Sequence, residues 1–101
     1  MSTCPLCGAH ANLCEGILQQ KIALLTCSRC RAFVMDKRLI DVVMNARAWN
    51  VRTVLGQVAL LSRATQEAAA RGSVLFITST NWIRLANQQQ RLDAMTAAVA
   101  D

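Results

Sequence analysis

The sequence predicts an α+β fold in which short antiparallel strands in the first 35 residues precede a three-helix segment. Two Cys pairs lie in this N-terminal part, and short apolar, partly β-branched stretches separate and follow them. From Asp36 onward, apolar residues recur at intervals of three and four, which is typical of helices. We therefore expect two regions, residues 1–35 and residues 36–101.

Three strands are expected around the second Cys pair. Residues 21–26 are apolar and lead into this pair, and residues 32–35 follow it. Residues 12–18 would form the partner strand, with Gln19 and Gln20 at the turn. The pattern predicts a small antiparallel sheet that brings the two Cys pairs together.

The first two helices have recognisable start and stop signals. Asp36 is a suitable N-cap, and the first helix should end near Trp49. A second helix should begin near Val51 and stop at Gly72. Its apolar face comprises Val54, Leu55, Val58 and Leu61.

The rest of the chain combines a short apolar segment with a third helix. Residues 73–78 are β-branched and predict either a strand or an extended connector. Ser79 or Thr80 would then cap a helix that runs to about Ala98. The joint near Trp49 contains no glycine, so a DNA-binding helix-turn-helix is not our preferred interpretation.

The cysteines follow the pattern C-x2-C-x19-C-x2-C. Two residues between cysteines allow both sulfur atoms of a tight turn to face one ion. The predicted ligands of a single structural Zn²⁺ are Cys4, Cys7, Cys27 and Cys30. Four protein ligands leave no position for water, so this zinc would not be catalytic. A region of 35 residues needs such support, and we expect the N-terminal third to fold around the metal.

Other uses of the cysteines remain open. The thiolates could hold an iron–sulfur cluster, or the pairs could be redox-active dithiols, although no βαβ pattern supports a thioredoxin-like unit. His10 could replace one cysteine as a ligand. Cys14 is expected to be a small apolar core residue.

The N-terminal region resembles the zinc-ribbon class, as found in small bacterial or phage proteins that place a ribbon before a helical segment. The resemblance rests on the segments CPLCG and CSRC, the hairpin between them and the strand that contains Phe33. It covers about a third of the chain and implies a metal and a fold. Zinc ribbons serve many functions, so it does not specify this one. No family resemblance extends to residues 36–101.

The charge balance indicates a modest affinity for polyanions. The formal charge is +5, and four thiolates with one divalent ion would reduce it to about +3. The predicted nucleic-acid contacts lie within ten residues of one another: Arg29, Arg31, Lys37 and Arg38. An ordinary solvated surface is the alternative interpretation of these charges.

The third helix carries an apolar stripe that predicts self-association or a protein partner. The stripe comprises Trp82, Leu85, Leu92 and Val99, and Gln89 interrupts it. Leu60, Phe76, Ile83 and Met95 would remain partly uncovered in a monomer. A closed monomeric bundle is the alternative.

The sequence contains no recognisable catalytic constellation. It has one histidine, few acidic residues and no phosphate-binding glycine loop, so we expect neither an enzyme nor a small-molecule substrate. It has no membrane-spanning stretch or secretory signal, and a cytoplasmic location follows as an expectation. Two functions remain: a nucleic-acid-binding or transcription-associated regulator, or a protein-interaction module that zinc holds together.

Overall fold

The structure is a computed structural model that describes residues 2–8, 10–15 and 21–100, with the backbone alone in residues 2, 10–15 and 96–100. The described residues form an α+β fold, as predicted. The strands are β1 (Ser2–Thr3), β2 (His10–Glu15), β3 (Ile22–Cys27), β4 (Arg31–Asp36) and β5 (Leu75–Ile77). The helices are α1 (Lys37–Ala48), α2 (Arg52–Ala70) and α3 (Trp82–Ala100).

The strands form one sheet in the order β1-β2-β3-β4-β5. Neighbours are antiparallel except β4 and β5, which are parallel and connected through α1 and α2. The three strands expected near the second Cys pair are confirmed with shifted bounds, while β1 was not predicted. The segment interpreted as a strand or a connector forms β5. The predicted turn at Gln19 and Gln20 lies outside the described residues.

One face of the sheet supplies the strand side of the core. Ala23, Leu25 and Cys27 alternate along β3 and are buried, whereas Thr26 between them is exposed. This two-residue period is what a half-buried strand requires. In β4, Phe33 and Met35 are buried on this face, whereas Val34 between them is buried on the opposite face. Helices α1 and α2 both contact β4, so they cover this face of the sheet.

Local sequence signals set the ends of the first two helices. The Asp36 carboxylate accepts a hydrogen bond from Arg38 N at 2.8 Å and caps α1 as predicted. Asn50, with φ 53°, makes the joint to α2 without a glycine, since asparagine tolerates the left-handed region better than most residues. Gly72, with φ 76°, follows the end of α2 at the predicted stop.

Helix α3 packs mainly against α2. It begins at Trp82, later than a cap at Ser79 or Thr80 would place it. The Arg63 guanidinium and the Asp93 carboxylate form a 3.2 Å ion pair between the two helices. Gln89, the polar residue in the predicted stripe, is buried and donates to Asp93 at 2.9 Å.

The core is continuous across the predicted boundary between residues 35 and 36. Residues from both regions belong to one buried cluster, which contains strand residues such as Phe33 together with helix residues such as Leu39 and Leu61. The described cysteines of the two pairs belong to this cluster or pack against it. The predicted metal ligands therefore pack with the main core.

Candidate metal centre

The two Cys pairs occupy turns at the same end of the sheet. Cys4 follows β1, and Cys7 closes the turn that begins there. Cys27 is the last residue of β3, and Cys30 lies in the loop that leads into β4. Because β1–β2 and β3–β4 belong to one sheet, its register brings the two turns side by side.

The four sulfur atoms form a compact group. All lie within 4.8 Å of one another, with 3.9 Å between Cys4 and Cys30 and 3.5 Å between Cys7 and Cys27. A regular tetrahedron with metal–sulfur bonds of ~2.3 Å has sulfur–sulfur distances of about 3.8 Å. None of these four cysteines is joined to another by a disulfide, since a disulfide needs sulfur atoms ~2.05 Å apart. The group has room for one metal ion, whereas a multi-iron cluster would need its ligands farther apart.

The backbone of both turns has the conformation that ligand pairs of this kind require. The residue after each pair is left-handed: Gly8 has φ 80° and Arg31 has φ 72°. Gly8 N donates to Cys4 O at 2.9 Å and closes the first turn. In the second turn, Arg29 N donates to Cys27 Sγ at 3.4 Å, a contact that favours a thiolate.

The burial of the four cysteines bears on whether their sulfur atoms would bind a cation. Cys4, Cys27 and Cys30 are buried, and Cys7 is half-buried. A hydrogen bond with Cys30, followed by burial, raises the pKa of the Cys4 thiol well above its ordinary value. The Cys4 thiol thus resists ionisation, and a bound cation would reverse this preference. The donor set fits a soft or borderline divalent ion such as Zn²⁺.

Ser62 and Arg47 of the helices contact the Cys turns, and the sequence interpretation identified neither. Ser62 Oγ of α2 lies 3.0 Å from Cys30 Sγ, and Ser62 is buried. Arg47 Nε of α1 donates to Pro5 O at 3.0 Å and so holds the first turn. In the sequence, a serine directly after Leu61 on an apolar helix face is a weak indication that its hydroxyl has a buried partner. Nothing in the sequence indicates the contact between Arg47 and the first Cys turn.

The four basic residues predicted as nucleic-acid contacts separate into two pairs. Arg29 and Arg31 lie at the metal end of β4, whereas Lys37 and Arg38 follow its other end. A strand of six residues spans about 20 Å, so the two pairs do not form one patch. Instead, Arg29 lines a groove beside Cys7 together with Arg47 and Arg63. We call this the metal-end groove.

The predicted interface residues on α3 have different environments. Trp82 and Leu85 pack against the core cluster of their own chain. Leu92 is 46% exposed, and the side chain of Val99 lies outside the described residues. The side chains of His10 and Cys14 also lie outside the description, and their backbones belong to β2.

A comparison of the chain with protein families, curated proteins and solved structures finds no match. Within the described ranges, no helix has the length and apolarity needed to cross a bilayer.

Proposed function

We propose that this chain is a non-enzymatic protein that binds one structural Zn²⁺ and uses its surface to bind nucleic acid. The proposal that the chain binds a metal ion rests on the group of four sulfur atoms within 4.8 Å of one another. Four cysteines complete a tetrahedral shell, which leaves no site for a reacting water. The thiolates must stay reduced, which suits the cytoplasm.

Elemental analysis of protein purified without chelators tests the metal directly. We expect one zinc per chain. If analysis finds one iron per chain, the metal of the proposed site is iron and not zinc. The absence of any metal from fully reduced protein would overturn the proposed metal site.

The arginines at the metal end support nucleic acid as the partner. Arg29 and Arg31 are exposed, and the metal-end groove adds Arg47 and Arg63. Guanidinium groups suit phosphate because they donate paired hydrogen bonds. A zinc ion with four thiolates carries a net charge of −2, so Arg29 and Arg47 also balance that charge. We therefore expect affinity to be modest and to depend strongly on salt.

A pair of double variants tests this surface. Arg29→Ala with Arg31→Ala should weaken binding to a labelled oligonucleotide and reduce the slope of log affinity against log salt by about one per lost contact. Lys37→Ala with Arg38→Ala removes the same charge at the other end of β4 and is the matched control. Equal effects of both double variants would contradict a single site at the metal end. No binding at low salt, to either single-stranded or duplex probes, would exclude the nucleic-acid function.

A second candidate function is assembly through the helices. Several large apolar side chains are exposed, which is more than a monomer of this size usually shows. They are Val42, Trp49, Val51, Val74, Phe76, Ile83, Leu92 and Met95. Trp49 is 81% exposed at the joint between α1 and α2. Such surfaces often meet a second copy or a partner helix.

Light scattering tests whether the chain assembles with a second copy of itself, and which face of α3 it uses. If α3 pairs through the predicted stripe, Leu92→Asp should yield monomers with unchanged zinc content. Ile83→Asp is the matched control, since Ile83 is 49% exposed but nine residues away, on the opposite side of the helix. A wild-type monomer at tens of micromolar would exclude the homodimer, and equal effects of the two variants would exclude this stripe as its interface.

A further inference from the structure

Ser62 lies next to the metal ligands although it belongs to the middle of α2. Its Oγ is 3.0 Å from Cys30 Sγ, and its side chain is 6% exposed. Cys30 is fully buried, so this contact is shielded from water. Metal ligands are commonly oriented by hydrogen bonds from a second layer of residues.

A neighbouring amide sets the direction of the Ser62 hydrogen bond. Gln66 Nε2 donates to Ser62 Oγ at 3.3 Å and so occupies one acceptor site of the hydroxyl. A metal-bound thiolate can only accept. With the metal bound, the single hydroxyl proton of Ser62 therefore points at Cys30 Sγ.

The other buried hydroxyl of this helix face does not compete for the contact. Thr65 Oγ1 donates to the backbone carbonyl of Ser62 at 2.7 Å and leaves the Ser62 hydroxyl available. Thr65 is also fully buried, one turn farther along α2. It is therefore a natural control for the loss of a buried hydroxyl that does not touch a ligand.

We propose that Ser62 is a positioning residue of the metal centre, which donates to the Cys30 thiolate and joins the metal to helix α2. The inference depends on the proposed zinc site. The hydrogen bond withdraws electron density from the sulfur and fixes the orientation of Cys30. Loss of such a partner typically lowers metal affinity by about 10–100-fold.

The test uses the full-length protein, reduced and loaded with either Zn²⁺ or Co²⁺. Chelator competition gives the zinc affinity, and Co²⁺ gives a sulfur-to-metal charge-transfer band that reports on the electrons of the sulfur. Ser62→Ala should lower zinc affinity by about tenfold. It should also move the Co²⁺ band to lower energy, because a sulfur without its hydrogen bond gives up electrons more easily.

Three further variants separate positioning from general stability. Ser62→Thr keeps the hydroxyl and should restore affinity and spectrum. Thr65→Val removes a buried hydroxyl without touching a ligand, so the Co²⁺ band should stay in place. Gln66→Ala changes an exposed residue, so it should fold normally and show a smaller shift in the same direction.

Each outcome decides one question. Wild-type protein that binds neither metal would overturn the proposed zinc site itself. Normal metal binding in the wild type together with an unshifted band in Ser62→Ala would overturn the role of Ser62 and leave the zinc site intact. Equal shifts in Ser62→Ala and Thr65→Val would also overturn it, because they would report loss of stability alone. If Ser62→Ala fails to fold, Gln66→Ala decides: an unshifted band overturns the inference.

Discussion

Removal of the metal should unfold the helices together with the strands. The sequence interpretation expected only the N-terminal third to depend on zinc. In the structure, Cys4 and Cys30 belong to the same buried cluster as Val58 and Leu61 of α2. Without a metal, the four clustered thiols must either repel one another as thiolates or remain neutral without a bond that holds the two turns together. Loss of the two Cys turns therefore removes the side chains that cover one side of the common core.

The size of this effect follows from the residues that the N-terminal region covers. Five large side chains from α1, α2 and β5 are buried in the common cluster: Leu39, Val43, Val58, Leu61 and Ile77. Burial of one such side chain contributes about 1.5–3 kcal/mol. Their exposure would cost at most about 8–15 kcal/mol, as much as the roughly 5–15 kcal/mol that stabilises a typical domain. The helices should not retain their packing alone.

Circular dichroism during chelator titration measures this prediction. The reduced protein should lose its helical signal in one transition as zinc leaves, and stoichiometric zinc should restore it. Titration at two protein concentrations separates metal loss from changes in assembly. A helical signal that persists after all zinc is removed, with α2 and α3 still protected from hydrogen exchange, would refute the reasoning.

Four further predictions concern single residues. Cys4→Ala should abolish stoichiometric zinc, as measured by elemental analysis after gel filtration, because it removes a buried ligand. Leu61→Ala should destabilise the zinc-loaded protein to urea by about 2–5 kcal/mol, since Leu61 is fully buried in the core. Ser79 Oγ donates to the Asp36 carboxylate at 2.8 Å, and this hydrogen bond is the main cause that lowers the pKa of Asp36. The hydrogen bond therefore stabilises the fold fully above the ordinary pKa of an aspartate, and this stabilisation is lost only as the pH falls through the lowered pKa of the folded protein. Ser79→Ala should therefore reduce stability by the same amount at pH 6 and pH 8, and this loss should be smaller in an Asp36→Asn background, where a neutral amide oxygen accepts the hydrogen bond in place of the carboxylate. Arg31→Gly should stabilise the protein by about 1 kcal/mol in urea, because glycine adopts φ 72° without strain.

Local signals predicted the parts of the fold that depend on local chemistry. The Asp36 cap, the stop at Gly72 and the sulfur group each follow from residue type and spacing, because capping, left-handed turns and metal ligation need particular atoms at short range. The parallel pairing of β5 with β4 could not be derived in this way. It depends on how two intervening helices return the chain, and residues 73–78 alone do not encode that path.

The basic cluster shows how proximity in sequence misleads on a strand. Arg31 and Lys37 are six positions apart, which would be less than two turns of a helix. On β4, the same interval separates them by about 20 Å. Ser62 is the opposite case, since 32 positions separate it from Cys30 and no local pattern connects them. The sequence predicted the group of four cysteines, but its contact with α2 became visible only with the packing of the helices.

The strained backbone at Arg31 bears on the choice between the two proposed functions. Gly8 and Arg31 occupy equivalent positions after the two Cys pairs, and both are left-handed. Only the first position carries the residue that adopts this conformation freely. The Arg31 side chain is exposed, so burial in the core does not account for the strain. If Arg31 contacts phosphate, Arg31→Gly should increase stability while it weakens oligonucleotide binding and flattens the salt dependence. If binding is unchanged, Arg31 contributes nothing to such a surface, and assembly through the helices becomes the better account of the protein.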